Sequence, residues 1–363
     1  MEKIRRKNGG AHMLGKASVR SKVAVIVVFM ILAAWSKESL GAQIEKVTVG
    51  TVASVSDAGV YLGIAKGFFK EQGLDVEPMI FDSGSNQIGI LASGKLDVAG
   101  GTPAAGTFNA FAQGINIRIV ADKGTHTPGH GYIAFLMRKE LSSQVKKVED
   151  LKKLEKPRFA LPSTGGIGAE AQFKTLLRKA GLDEKNVEVK IVPYPQVPSA
   201  LASNGLDVGP VIEPYATKAI EQGIAFNLTW VDEIRPNDIG GVLMYSEKFM
   251  KERPQTAKNF MIAYLRAVRY YLSAFEGKNP ALKSDVIKIL AQNTTVKEPD
   301  LYERMRVPGF DKDGRVNFTS LKSLYSEFVR MGYIQNPDKV KVESVVDNSF
   351  VEYAVQKLGP YKP

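Results

Sequence analysis

Cysteine is absent from the 363 residues. That excludes disulfides, thiolate metal sites, a cysteine nucleophile and a lipid-modified amino-terminal cysteine. Histidine is scarce, with three in the chain. Two of them, His126 and His130, sit in the segment THTPGHGY. Pro128-Gly129 prevents the helix that would bring both onto one face, and no third ligand lies nearby, so no metal and no cofactor is expected. Loop packing or a hydrogen bond to a ligand suits His130 better. Long basic runs are also missing. The formal charge of +11 is inflated by residues 1–42, which hold eight Lys/Arg and two Asp/Glu. The remainder carries 41 basic and 36 acidic residues, interspersed and near +5. This is a solvated surface with no nucleic-acid footprint.

What is present begins with a targeting pattern. Seven Lys/Arg precede the apolar run at residues 23–35, and the small residues Ser39, Gly41 and Ala42 follow it. The run spans about 20 Å as a helix, short of the ~30 Å hydrocarbon core. Residues 1–42 therefore read as a signal peptide cleaved near residues 41–42, with membrane anchoring the weaker alternative. Translation starts at Met1 or Met13. The rest, 44% apolar and 24% charged over the whole chain, has an ordinary globular composition. An exported protein of this length without disulfides relies on its core alone.

From residue 43 onward, short apolar runs alternate with amphipathic stretches. Strands are expected over 47–52, 76–81, 96–99, 115–121, 159–161, 187–192 and 206–212. Helices are expected over 57–72, 86–93, 104–113, 168–180, 199–203 and 216–222. This alternation predicts a parallel sheet with helices on both faces. An internal repeat divides it. LASGKLDV at residues 91–98 answers LASNGLDV at 201–208, six of eight positions identical at an offset of 110. The flanking pairs QGLD/AGLD and AQGI/EQGI keep the order and spacing. Two copies of one α/β lobe are the reading. A helical tail follows, with a long amphipathic helix opened by Pro254, and is expected to pack back as core.

In open α/β sheets, ligands bind beyond the carboxyl ends of the strands. Those ends are residues 51–58, 83–87 and 101–105 in the first lobe, and 162–168, 193–197 and 213–215 in the second. Ser83-Gly84-Ser85-Asn86 and Ser163-Thr164-Gly165-Gly166 are small, polar and placed before helices. Glycine lets backbone N–H groups approach a ligand, and a helix start favours negative charge. The same Ser, Thr and Asn also simply cap helices. Glu213 either meets a polar group of the ligand or anchors its own loop by accepting backbone N–H bonds. Bulk at Gly84 or Gly165 is expected to weaken binding without harming the fold. The strand ends are poor in Arg and Lys, which suits a neutral or singly charged organic ligand.

AGVYLGIAKGFFKEQGLDVE (58–77), ASGKLDVAGGTPA (92–104) and GLDVGPVIEPYATKAIEQG (205–223) resemble one branch of the periplasmic binding proteins. That branch takes alkanesulfonates, nitrate, taurine and thiamin-pyrimidine precursors. The likeness runs from about residue 46 to 275. It implies a type 2 periplasmic binding protein fold: two Rossmann-like α/β lobes joined by two crossover strands, near 127–137 and 234–246, with a helical C-terminal segment. It implies a first lobe at 43–130, a second at 131–240 and a return to the first over 241–363. Carried over by position, the pocket loops are Ser54, Val55 and Asp57; Gly84, Ser85 and Asn86; Thr102 and Pro103; Ser163, Thr164, Gly165 and Gly166; Tyr194; and Glu213. The implied role is the solute-binding component of an ABC importer that captures a sulfonate, carboxylate, pyrimidine or similar molecule by hinge closure. The implied protein is a periplasmic monomer that docks on an inner-membrane permease. A periplasmic enzyme or a ligand sensor using the same cleft is the alternative. One branch of the family makes the thiamin pyrimidine with a cysteine-rich iron motif, which a chain without cysteine does not have.

Overall fold

The computed structural model describes residues 44–277, 279–295 and 297–362. The segment read as a signal peptide, with its cleavage site, lies outside the described residues. Strands follow one another as β1 (Glu45–Thr51), β2 (Leu74–Ile80), β3 (Val98–Gly101), β4 (Arg118–Asp122), β5 (Thr125–His126) and β6 (Ile133–Arg138). Then come β7 (Arg158–Leu161), β8 (Glu188–Ile191), β9 (Val208–Ile212), β10 (Ala225–Trp230), β11 (Asp238–Ile239) and β12 (Val242–Tyr245). The helices that matter below are α1 (Ala58–Ala65), α2 (Ile88–Ala92), α3 (Ala105–Ala112), α4 (Gly168–Ala180), α5 (Val197–Ala202), α6 (Tyr215–Glu221), α7 (Pro254–Phe275), α8 (Phe318–Arg330) and α9 (Ser349–Leu358).

Two five-stranded sheets result. Their orders, β2-β1-β3-β12-β4 and β8-β7-β9-β6-β10, are the same permutation of equivalent strands. Within each, the first three strands are parallel. The fourth, β12 or β6, runs antiparallel to both its neighbours. The sheets are therefore mixed, not purely parallel as the alternation predicted. The reason is that each antiparallel strand is supplied by the chain arriving from the other lobe. Between Asp122 and Ile133, and again between Trp230 and Val242, the chain passes from one sheet to the other. Midway, β5 and β11 pair antiparallel, Thr125 opposite Ile239 and His126 opposite Asp238.

The repeat has a structural cause. In LASGKLDV, α2 turns into β3 through Gly94 at φ 67°; in LASNGLDV, α5 turns into β9 through Asn204 at φ 58°. Left-handed backbone favours Gly and then Asn, the two residues found. The aspartate that follows does one job in both lobes. Asp97 Oδ2 accepts the Thr48 N–H at 3.0 Å, and Asp207 Oδ2 accepts the Arg158 N–H at 2.8 Å. Thr48 on β1 and Arg158 on β7 are themselves related by the 110-residue offset. Each aspartate thus pins the turn before the third strand to the first strand of its sheet.

Helix α7 is the spine of the first lobe. Pro254 opens it where a missing N–H costs nothing. Phe260, Tyr264, Val268, Tyr271 and Leu272 are buried along it. It packs on α1 and α9. A Cβ on Gly59 would run into the Tyr264 ring, so the close crossing of α1 and α7 needs glycine there. Each buried Phe or Leu in this layer contributes about 1.5–3 kcal/mol. On the other face of the sheet, Phe108 of α3 packs against Tyr325 and Phe328 of α8. No helix among the described residues is long and apolar enough to cross a membrane.

Candidate functional site

The first strand-end loop is held from beneath. Ala53, buried, takes a φ of 51° without being glycine. That strain is of order 1–2 kcal/mol and persists only where surroundings impose it. Asp57 imposes it: its Oδ2 accepts the N–H of Val52 at 3.1 Å and of Ser54 at 3.0 Å. Its Oδ1 lies 2.8 Å from Lys123 Nζ, and the two side chains are 0% and 1% exposed. Lys123 Nζ also donates to Ser56 Oγ at 2.9 Å, and Ser56 Oγ meets Ser54 Oγ at 2.8 Å. The Tyr132 hydroxyl, arriving from the second lobe, also bonds Ser56; burial raises its pKa above the usual phenol range. The Tyr132 ring stacks on His126, centroids 4.4 Å apart at 18°.

The second and third loops of this lobe are packed backbone to backbone. A Cβ on Gly84 would lie 2.9 Å from Gly101 Cα, and one on Gly101 2.5 Å from Gly84 Cα. Bulk at Gly84 would therefore disturb the end of β3 as well as any ligand, which corrects the expectation that the fold would not feel it. Thr102 Oγ1 donates to the Gly240 carbonyl at 2.6 Å, and Pro103 is buried beside it. Val55 points into the core at 1% exposure. Ser85 is half-buried and Asn86 exposed.

The second lobe repeats the device with a different acid. Glu170, in the first turn of α4, accepts the N–H of Gly166 at 2.7 Å and of Ile167 at 3.1 Å. Gly165 and Gly166 have φ of 103° and 77°. The Gly166 carbonyl then accepts the Ala105 N–H at 2.8 Å, so the glycine loop of one lobe caps the start of α3 in the other. A Cβ on Gly168 would fall 2.6 Å from the Thr102 methyl. Ser163, half-buried, and Thr164, exposed, flank this contact. Tyr194 is half-buried after β8, and desolvation raises the pKa of its hydroxyl.

Glu213 resolves towards the anchoring role. Its carboxylate accepts the Thr217 N–H at 3.0 Å, the Thr217 hydroxyl at 2.8 Å and the Arg306 N–H at 3.1 Å. Burial still leaves its pKa above the usual carboxylate range. Arg306 belongs to the tail, where no chemistry was expected. Its guanidinium reaches Asp232 at 3.1 Å and lies 4.4 Å over the Trp230 ring. Asp232 also accepts the Gly129 N–H at 2.8 Å. His130 Nδ1 sits 3.2 Å from the Val307 carbonyl.

The structure thus gathers Ser54, Asp57, Gly84, Thr102 and Pro103 at the strand ends of one sheet, and Ser163 to Gly166, Tyr194 and Glu213 at those of the other. Two cavities of about 440 and 410 Å³ lie elsewhere. The first is behind β11, among Arg235, Asp238, Asn317 and Ser320. The second separates α4 from α8, among Glu170, Arg178, Glu327 and Tyr333. Neither includes Ser54, Thr102, Tyr194 or Glu213. The sequence missed Lys123, because β4 was read as ending at 121. It missed Asp232 and Arg306 because they are remote in the chain. Among the described residues, no three His, Cys, Asp or Glu converge on a metal-sized site.

The sequence pattern of the NMT1-like family matches residues 41–291. The chain belongs to the NMT1-like family. Solved structures share its fold at low identity. The periplasmic nitrate-binding protein NrtA from Synechocystis PCC 6803 superposes with a TM-score of 0.68 at 16% identity, over 87% of this chain and 90% of that one. The periplasmic aliphatic sulphonate binding protein SsuA from Escherichia coli gives 0.65 at 17%, over 84% and 92%. The ligand-binding component of an ABC-type import system from Staphylococcus aureus, with zinc bound, gives 0.68 at 13%, over 85% and 99%. No curated protein sequence matches the chain. This NMT1-like chain therefore has the fold of the periplasmic binding proteins.

Proposed function

We propose that this protein is the extracytoplasmic solute-binding component of an ABC importer, closing two lobes on one small molecule. Residues 43–130 and 241–363 form the first lobe in this reading, and 131–240 the second. The observation that carries it is the meeting of two equivalent sheets, strand ends to strand ends, across the β5/β11 ribbon. The Ala105–Gly166 bond joins the lobes only while they are together. A clamp with a two-strand hinge gains binding energy from closure. The resemblance of the fold to import-system binding proteins supports the partner, an inner-membrane permease. The amino-terminal pattern supports export to the periplasm with the signal removed, and the protein is taken as a monomer.

An enzyme in the same cleft is the other reading. Ser54, Ser56 and Lys123 form a hydrogen-bonded chain that has the connectivity of a nucleophile and its relay. The Lys123 ammonium is committed to Asp57, which leaves no free base at its end. Transport is tested by calorimetry and thermal shift over sulfonates, aromatic carboxylates, pyrimidines, flavins and nitrate, with mass spectrometry of the recovered solute. Saturable stabilisation with the solute unchanged is expected. Conversion of the bound solute by the purified protein would overturn it.

A further inference from the structure

The strand ends and crossovers are rich in buried acid. Six buried carboxyl groups belong to the strand-end and crossover segments: Asp57, Asp122, Glu170, Glu213, Asp232 and Asp238. Two cations share those segments, a third reaches them from the tail, and each is already matched. Lys123 lies 2.8 Å from Asp57, Arg235 pairs with Asp238 at 2.9 Å, and Arg306 pairs with Asp232 at 3.1 Å. Four loop amides of the kind a small anion would use are taken as well. Val52 and Ser54 give theirs to Asp57, and Gly166 and Ile167 give theirs to Glu170. An acid in the first turn satisfies the positive end of a helix from within. An arriving anion would find no uncommitted cation among these to replace the water it gives up. Hydroxyl groups on Ser163, Thr164 and Tyr194 remain at the second lobe's strand ends.

We propose that the cleft rejects anions and takes an uncharged, hydrogen-bonding solute, with Asp57 and Asp232 as the residues that set this selectivity by holding Lys123 and Arg306. This rests on the clamp reading and narrows its ligand. It departs from the nitrate and sulphonate named for two proteins of the same fold.

The test uses benzoate, benzenesulfonate and nitrate as probes, read by thermal shift and calorimetry at fixed ionic strength. The wild type is compared with Asp57→Asn and with the double variant Asp232→Asn/Glu233→Gln, because Arg306 meets Glu233 at 3.6 Å as well as Asp232. Arg306 is half-buried, so the double variant stays informative if Asp57→Asn folds poorly. The wild type is expected to show no saturable response to the three anions. A variant with a freed cation is expected to bind at least one of them at least about tenfold more tightly, the factor that ~1.4 kcal/mol supplies. Saturable binding of any probe by the wild type overturns the proposal, as does a folded Asp232→Asn/Glu233→Gln variant that gains nothing. Either result leaves the clamp reading standing. Turnover of a bound solute would strike the clamp reading alone.

Discussion

Replacing Asp57 with Asn leaves the Lys123 ammonium buried with the Ser56 hydroxyl as its remaining hydrogen-bond partner. Removing one member of a buried ion pair costs about 3–5 kcal/mol, because the other charge stays out of water. Lys123→Met should cost less. The Asp57 carboxylate that it strands still accepts two backbone N–H bonds, which places it at or below the lower end of about 3–5 kcal/mol. The double variant removes both charges at nearly constant shape. It should therefore be more stable than the sum of the singles implies, by a coupling of roughly 2–3 kcal/mol. For a folded unit of roughly 320 residues the unfolding entropy is about 0.7 kcal/mol/K, so 3–5 kcal/mol corresponds to about 4–7 °C in Tm. Differential scanning calorimetry on the wild type, both singles and the double measures this directly. Additive effects, the double losing as much as both singles together, would refute the claim that this pair organises the first lobe's loop.

Three further outcomes follow from the geometry. His126 is buried with both ring nitrogens unpartnered; desolvation, against the pull of Asp238 and Asp232, brings its pKa down to about 4. The unfolded chain takes up a proton first, so stability is full above about pH 6.5 and falls by about 3 kcal/mol as pH drops towards 4. His126→Phe keeps the stack on Tyr132 and should flatten that limb of the stability–pH curve; an unchanged slope would clear His126 of the effect. At Asp207 burial alone would raise the pKa, but hydrogen bonds from Arg158 and Arg138 outweigh it and hold it at about 2. Its contribution, roughly 1–2 kcal/mol after screening, is present above about pH 4 and lost as pH falls towards 2. Acid titration of Asp207→Asn should therefore converge on the wild type, and a gap that persists at pH 2 would contradict this. Gly166→Ala places a Cβ 2.5 Å from that of Ala105 on a left-handed backbone. It should hold the lobes apart, lowering solute affinity at least about tenfold and raising the radius of gyration in X-ray scattering.

Much of the scaffold was legible because it rests on local chemistry written twice. The LDV aspartate, the left-handed Gly94 and Asn204, and the glycine that ends α4 all act within their own lobe. The two crossover strands, implied by the resemblance and not by the alternation, are of another kind. β6 and β12 each join a sheet built by the other half of the traverse, so nothing in their own periodicity says which neighbours they take. The same limit governs the site. Ser54, Thr102 and Gly166 were picked out because strand ends can be read from the chain, and the structure places them there. Lys123, Asp232 and Arg306 were not, since a charge reveals its partner only once the fold brings them together, and Arg306 lies 74 residues from Asp232.

The duplication itself explains why the two halves of the site are not alike. Both lobes place an acid in the first helical turn after their first strand, Asp57 in one and Glu170 in the other, and each folds its loop back through two N–H bonds. Only the first of these acids meets a buried cation, because Lys123 follows β4 directly. Its counterpart position after β10 opens instead on Val231-Asp232-Glu233, so there the chain supplies acid, and the cation arrives from the tail as Arg306. One lobe is neutralised by its own strand and the other by a segment wrapped around it. A repeat that copied only the scaffold leaves this charge pattern free to differ between the halves, and that is where selectivity for the solute can be set without altering the clamp.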